Sequence, residues 1–324
     1  KAEILNDYFI SVLTDEPPLP QSLPTDDLPK PKSIIKDIQI TPEMVRKKLV
    51  KLKLNKASGP DEVSVAVLKQ CPNFDKPLAT IFNKSIAEGY VPQDWRDAHV
   101  TPLHKKGMRS NCKNYRPVSL TSQVVKVLER IIQDCIMKHA FENSLISCHQ
   151  HGFQGGCSCV TQLLECFNDW TDSQDNGHQT DVIYLDFAKA FDTVPHKRLM
   201  YKLRALGIRG QLLRWIEAFL KNRRQRVVLR NGSSQWQHVK SGVPQGSILG
   251  PILFLLYVND IPAKVESIAK MFADDSKLYR EIHNLNDCQT LQGDLDRLSA
   301  WSKIWLLEFN ATKCVVLSIQ FTYT

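Results

Sequence analysis

Apolar residues in the first half of the chain recur every three or four positions, the spacing of a helix that buries one face. Thr41 stands as an N-cap before Pro42, and Val45, Leu49 and Leu52 then fall on one side. This predicts a basic amphipathic helix running to about Leu54, where Asn55-Lys-Ala-Ser-Gly-Pro60 ends it. Further helices are expected over Val63–Cys71, Leu78–Glu88 and Gln123–Phe141, with a short extended piece around His99–His104. Val160, Leu163, Leu164, Phe167 and Trp170 mark another helix. After a Gln/Asp/Asn/Gly turn, Asp181-Val-Ile-Tyr-Leu-Asp-Phe187 switches to the pattern of a buried strand.

The second half mixes both periods. Arg226–Arg230, an Asn231-Gly232 turn and Gln235–Lys240 predict a β-hairpin. Met271–Tyr279 places two acids between two apolar arms and reads as a second hairpin. Leu291, Leu295 and Leu298 predict a helix over Leu285–Trp305, and Cys314–Ile319 a closing strand. Helices flanking an antiparallel sheet place the chain in the α+β class. No internal repeat interrupts this order.

Composition narrows the picture. A chain of 324 residues with 43% apolar content can build a sizeable core, as one large or two ordinary domains. Nine cysteines with no Cys-x-x-Cys, and no secretory leader, suggest reduced thiols and an intracellular setting, nucleus and cytoplasm included. The longest apolar run, Ile248–Val258, is interrupted by Gly250 and Pro251 and is too short for a bilayer, so no membrane partner is expected.

The net charge of +8 is unevenly spread. Residues 1–30 carry Lys1 and Lys30 against Glu3, Asp7, Asp15, Glu16, Asp26 and Asp27. The first residue is Lys, and Pro17–Pro31 holds six prolines, so residues 1–30 are expected to be an extended acidic linker from an upstream region of a polyprotein. The positive excess gathers in Arg46–Lys56 and Lys221–Arg230. These two runs suggest an anionic polymer as partner, with Lys47, Lys48, Lys51, Arg223, Arg224 and Arg226 tracking nucleic-acid phosphates. The first run could also serve in nuclear import.

Asp186 and the pair Asp274–Asp275 are the sharpest chemical feature, because each follows an apolar strand where burial of an unpaired carboxylate is costly. If the two strands are neighbours, three carboxylates converge, and Mg²⁺ suits such hard oxygen ligands. That arrangement supports two-metal phosphoryl transfer. Taken alone, Asp274–Asp275 could equally fill a hairpin turn, and Asp186 could cap a helix. Cys148-His149, His151 and Cys157-Ser-Cys159 offer soft ligands for zinc, yet their spacing fits no familiar site and free cysteines pack as small apolar residues.

Three segments in order settle the choice. Tyr184-Leu-Asp-Phe-Ala-Lys-Ala-Phe-Asp192, Ser241-Gly-Val-Pro-Gln-Gly-Ser-Ile-Leu-Gly-Pro251 and Phe272-Ala-Asp-Asp275 closely resemble motifs A, B and C of reverse transcriptases from non-long-terminal-repeat (LINE-type, jockey-like) retrotransposons. Trp95–Lys106, Asn114-Tyr-Arg-Pro-Val-Ser-Leu120 and Gln150-His-Gly-Phe153 resemble the family's finger motifs, and Trp301–Ile319 its motif D. The resemblance covers most of the chain from about residue 50.

What it implies is an RNA-directed DNA polymerase with right-hand fingers and palm, an antiparallel palm sheet flanked by helices, and no thumb. The implied divisions are a basic helical extension over 31–84 and a reverse transcriptase domain over 85–324, with fingers at about 85–178 and 197–240 and palm at about 179–196 and 241–324. Asp186 and Asp274 become ligands of two Mg²⁺ ions, for which Mn²⁺ could substitute, with the Phe187 carbonyl joining them and Asp275 an accessory acid. Phe191 stands where the family places a bulky residue under the incoming sugar, favouring deoxynucleotides, although its spacing fits simple core packing as well. Gln245 and Gly246 form the nucleotide-pocket wall. Lys105 and Arg116 contact the triphosphate, with Lys106 a competing choice. Trp236 could stack a base, whereas Trp215 reads as core. The implied partners are an RNA template, a DNA primer and dNTPs, with an upstream endonuclease and a downstream thumb on the parent polyprotein. An RNA-dependent RNA polymerase is disfavoured by Phe191, by Pro-Gln in the middle motif and by Ala273 before the two acids. The alternative is a non-catalytic nucleic-acid-binding fragment or relic of such an element.

Overall fold

A computed structural model describes residues 1–24 and 28–320. Thr25–Asp27 of the expected linker, and the last four residues of the expected 85–324 domain, lie outside the described residues.

The chain opens with a helix, α1 (Ala2–Ser11), within the 1–30 stretch expected to be an extended linker. Composition hid an apolar stripe there: Phe9 is buried against Val100 and Val227, with Leu5 packed beside it. The four described acids of this segment face partners. Glu16 accepts from the amides of Lys197 (2.7 Å) and Arg198 (3.0 Å), and Asp15 pairs with Lys240 at 3.0 Å.

Three helices follow: α2 (Pro42–Val50), α3 (Val65–Gln70) and α4 (Asp75–Glu88). The Thr41 hydroxyl accepts from the Met44 amide and Ser64 accepts from Ala66, as capping residues should. Helix α2 stops at Val50, a turn short of the expected Leu54. A short α5 (Gln93–Arg96) leads to strands β1 (Ala98–His104) and β2 (Tyr115–Leu120). Ser122 caps the long α6 (Gln123–Glu142), and a Ser158–Thr161 capping box starts α7 (Cys159–Asp175). Next come β3 (Gln179–Leu185), α8 (Ala190–Thr193), α9 (His196–Ala205) and α10 (Gly210–Leu220). The hairpin region forms β4 (Arg223–Leu229), β5 (Gly232–Ser233) and β6 (Gln237–Val239). The chain continues through α11 (Leu249–Val258), β7 (Ile268–Phe272), β8 (Asp275–Ile282), α12 (Leu285–Trp305) and β9 (Val315–Ile319).

These strands make two sheets in an α+β arrangement. The first runs β2-β1-β4-β5 with β6 also on β4, and only β1–β4 is parallel. The second is antiparallel throughout in the order β7-β8-β3-β9, with Val182 opposite Tyr279 on one side and Leu317 on the other. Helices α7 and α12 pack on this second sheet. The core lies among the helices around α11, whose residues are buried on nearly every face, as an all-apolar helix requires. Trp215 is fully buried there and donates to the Ser85 hydroxyl at 2.9 Å. Among the described residues no helix is long and apolar enough to cross a membrane.

Candidate active site

Strand β3 is buried at Val182, Ile183 and Leu185 and gives way to Asp186, whose main-chain oxygen accepts from the Asn310 amide at 2.7 Å. Phe187 is buried next to it and stacks on Phe309 with centroids 4.6 Å apart. The last β3–β8 pair is Leu185 with Ser276, so the register carries Asp186 to the level of Asp275. Phe272 pairs with Asp275, leaving Ala273 and Asp274 as the whole turn between β7 and β8. Three carboxylates therefore meet at one end of the second sheet. Burial, and after it the charges of Asp275 and Asp186, hold the Asp274 carboxyl above its ordinary value. Lys313 Nζ lies 2.5 Å from the Asp186 carboxylate. The ligand oxygens of the three acids do not all close to within 4.8 Å of one another. Asp275, the first residue of β8, is exposed, whereas Asp274 in the turn is half-buried.

The Asp274 turn is held from behind. The Met271 amide donates to the His149 carbonyl and the His151 amide to the Met271 carbonyl, each at 2.8 Å. Gln150 Oε1 then accepts from both the Ala273 amide (3.0 Å) and the Gly152 amide (2.7 Å). Ala273 sits at φ +58°, a left-handed conformation costing a non-glycine residue roughly 1–2 kcal/mol, so its amide needs this anchor. A Cβ on Gly152 would lie 2.3 Å from the Ala273 nitrogen, so only glycine allows the approach.

A cavity is lined by Phe191, Asp192, Gly242, Gln245, Ser119 and, from α1, Phe9. Phe191 is half-buried and stacks on Phe254 at 4.7 Å between centroids. Gln245 Nε2 donates to Asp192 at 2.8 Å, while its carbonyl accepts from the Ser119 amide at 2.7 Å. Gly246 takes φ +124°, and a Cβ there would lie 2.3 Å from the Ser119 oxygen. Burial lifts the Asp192 carboxyl, opposed by its bond to Gln245. Glu129, fully buried and likewise lifted, accepts from the Ile248 (2.6 Å) and Leu249 (2.9 Å) amides and so fixes the start of α11.

Lys105 follows β1 directly, and Arg116 on β2 pairs with Leu103. Burial, then the charges of Arg116, Lys313 and Lys189, hold the Lys105 ammonium below its ordinary value, with Asp186 opposing. Four cations and one of the three acids thus share a single electrostatic field, a setting that favours an anionic ligand.

A family model described as reverse transcriptase (RNA-dependent DNA polymerase) matches residues 103–324. The chain belongs to the reverse transcriptase family. It is 30% identical over 93% of its length to a probable RNA-directed DNA polymerase from transposon BS of Drosophila melanogaster. It is 29% identical over 85% of its length to the RNA-directed DNA polymerase from mobile element jockey of the same species. A Pol polyprotein from type-1 retrotransposable element R2 of Nasonia vitripennis is 25% identical over 81% of the chain. The chain spans 33%, 31% and 26% of these three relatives, respectively.

Within this reverse transcriptase chain the expected phosphate-tracking residues are already engaged to different degrees. Lys47 pairs with Glu43 at 2.8 Å, Lys48 with Asp134, and Lys51 is exposed just past α2. Arg224 pairs with Asp97 at 2.6 Å, and Arg226 donates to His99 at 2.9 Å while lying over the Trp236 ring. Arg223 corrects the expected surface role: the alternation of β4 turns it inward, where burial lowers its guanidinium to about 10 against the attraction of Glu129 and Asp192. Cys148, Cys157 and Cys159 are exposed and do not pack as core residues. Lys189, Asp192 and Lys313 fall within the motif A and motif D segments and Glu129 outside them, yet the sequence assigned none of the four a role, because their partners are distant in sequence. Besides its place in the motif D segment, the polar ending Asn310-Ala-Thr-Lys313 before an apolar strand is a signal that could have flagged Lys313.

Proposed function

We propose that this chain is an RNA-directed DNA polymerase of the non-LTR retrotransposon type, extending a primer 3′-hydroxyl with dNTPs on an RNA template. The observation that carries this reading is the meeting of Asp186, Asp274 and Asp275 at one end of an antiparallel sheet, within the field of the Lys105 and Arg116 cations, in a chain of this family. In right-hand terms the fingers comprise about 85–178 and 197–240, and the palm about 179–196 and 241–324, with 31–84 a helical extension. An endonuclease and a thumb are assigned to the parent polyprotein.

The donor set fits divalent ions. Asp274, lifted by burial and by its like-charged neighbours, is a carboxylate that a cation would stabilise, and carboxylate oxygens suit Mg²⁺ or Mn²⁺. Asp186, Asp274 and the Phe187 carbonyl would hold two such ions, which supply an acidified primer hydroxyl and charge neutralisation on the triphosphate when bound. The chain's own groups do the rest. Lys105 and Arg116 attract the triphosphate, and Lys313 balances Asp186 until substrate arrives. Phe191, braced by Phe254, presents a ring to the sugar and leaves no acceptor for a ribose 2′-hydroxyl. Gln245, fixed at its side chain by Asp192 and at its carbonyl by Ser119, forms the opposite wall. Lys51, Arg224 and Arg226 would contact template–primer phosphates, with Lys47 and Lys48 exchanging their present carboxylate partners.

The test is incorporation of labelled nucleotide on poly(A) primed with oligo(dT) in Mg²⁺. The expected result is addition of dTTP in clear preference to UTP. Equal use of both, or no template-dependent addition of either, would contradict the proposal.

A further inference from the structure

At the other end of the second sheet, away from the three acids, two histidines and a glutamate gather. His178 immediately precedes β3, Glu281 lies near the end of β8 and His283 just past it, and the pairing of Gln179 with Ile282 brings the residues next to it, His178 and His283, together. Glu281 is the penultimate residue of β8 and His283 the first residue beyond it. His178 Nδ1 lies 2.5 Å from Glu281 Oε1, and His283 Nε2 lies 3.5 Å from Glu281 Oε2. The two imidazole centroids are 4.0 Å apart. One ligand atom from each of the three residues falls within 4.8 Å of the other two, a closure found for no other His, Cys, Asp or Glu trio among the described residues.

A metal ion accepts from all three at once. Two imidazole nitrogens and one carboxylate are a ligand set of open zinc sites, with bonds of about 2.0–2.2 Å and a fourth position for water. Nitrogen donors of this kind select zinc-like ions over Mg²⁺.

The backbones that carry the ligands are already fixed. The His178 amide donates to the Ser173 carbonyl at 3.0 Å, and Ser173, buried, is tied in turn to the Thr180 hydroxyl at 2.8 Å. The His283 amide donates to Asp287 at 3.1 Å, the same carboxylate that completes the capping box of α12 and accepts from Arg280. Only the side chains, each between about one-third and one-half exposed, have to move to close around an ion. The length of β3 separates the cluster from Asp186 by roughly 25 Å at about 3.3 Å per residue.

We propose that His178, Glu281 and His283 form a site for one Zn²⁺ ion. The ion fastens the turn between α7 and β3 to the turn between β8 and α12, and takes no part in chemistry at the acids.

The test is titration of metal-stripped protein with ZnCl2 by calorimetry, with thermal unfolding followed in parallel. The expected result is one binding event and a rise in Tm of several degrees, with His178→Ala and His283→Ala each weakening binding by about tenfold or more and losing the rise. Each variant's shift is measured against its own metal-free Tm, so a general loss of stability does not mimic the effect. Mg²⁺ should act equally on the parent protein and both variants. A Cys148→Ser/Cys157→Ser/Cys159→Ser variant should bind as the parent does. No zinc binding by the parent, undiminished binding in the histidine variants, or binding lost only with the cysteines would overturn the proposal.

Discussion

Gly152 bears on the turn that carries Asp274 without belonging to it. Its main chain lies so close to Ala273 that a methyl group would meet the Ala273 amide at 2.3 Å, and that amide is one of two held by Gln150. Gly152→Ala must therefore move either the 149–152 segment or the turn that carries Asp274. Displacement of a catalytic carboxylate by even 1 Å costs on the order of 100-fold in rate. Gly152→Ala should lower template-dependent nucleotide addition by more than about tenfold, whereas Gly155→Ala, whose methyl would meet nothing within 4 Å, should leave it unchanged. Equal rates for the two variants would show that the turn does not depend on this contact. At this scale the acids were legible because a carboxylate at the end of an apolar strand is conspicuous. Lys313, Asp192 and Glu129 were not, since what makes each of them matter is a partner 127, 53 or 119 residues away.

Elements were read well where a period was sustained. The strand at Asp181, the hairpin around Asp274–Asp275 and the helix over Leu285–Trp305 follow directly from the pattern. Helix α1 was lost because prolines and acids dominate the composition of its neighbourhood, and its packing against β4 lies over two hundred residues away. The basic helix α2 was found, but not that Glu43 and Asp134 already occupy two of its lysines. Helix α9 illustrates a link that only tertiary structure reveals: His196 at its start donates Nε2 to the Gly242 carbonyl at 2.8 Å, tying the helix to the loop that carries Gln245. Burial depresses this imidazole from 6.5 to about 4, against the opposing effect of its bond to Gly242. Below pH 6.5 the unfolded chain binds a proton that the folded chain refuses, so stability is complete above pH 6.5 and falls as pH drops towards 4. The loss should be on the order of 2 kcal/mol, below the full value because the ring is partly exposed. Urea unfolding at pH 7.5 and pH 4.5 checks it, and His196→Asn should remove that part of the pH dependence; an unaltered difference would assign it to other groups.

At the scale of the whole molecule, the α+β class and the antiparallel second sheet were both readable, because strand and helix periods alternate along the chain in order. The mixed first sheet was not, since its parallel β1–β4 pairing joins strands more than a hundred residues apart. The second sheet brings three acids together within the field of the Lys105 and Arg116 cations, and nucleotidyl transfer is the chemistry proposed for them. Asp274→Asn tests it most directly, since the substitution keeps the size of the turn residue and removes only its charge. In Mg²⁺, on primed poly(A), the variant should retain the parent's Tm within a few degrees and lose dTTP incorporation by at least about a thousandfold. Incorporation at the parent's rate by the folded variant would contradict the assignment of the active site.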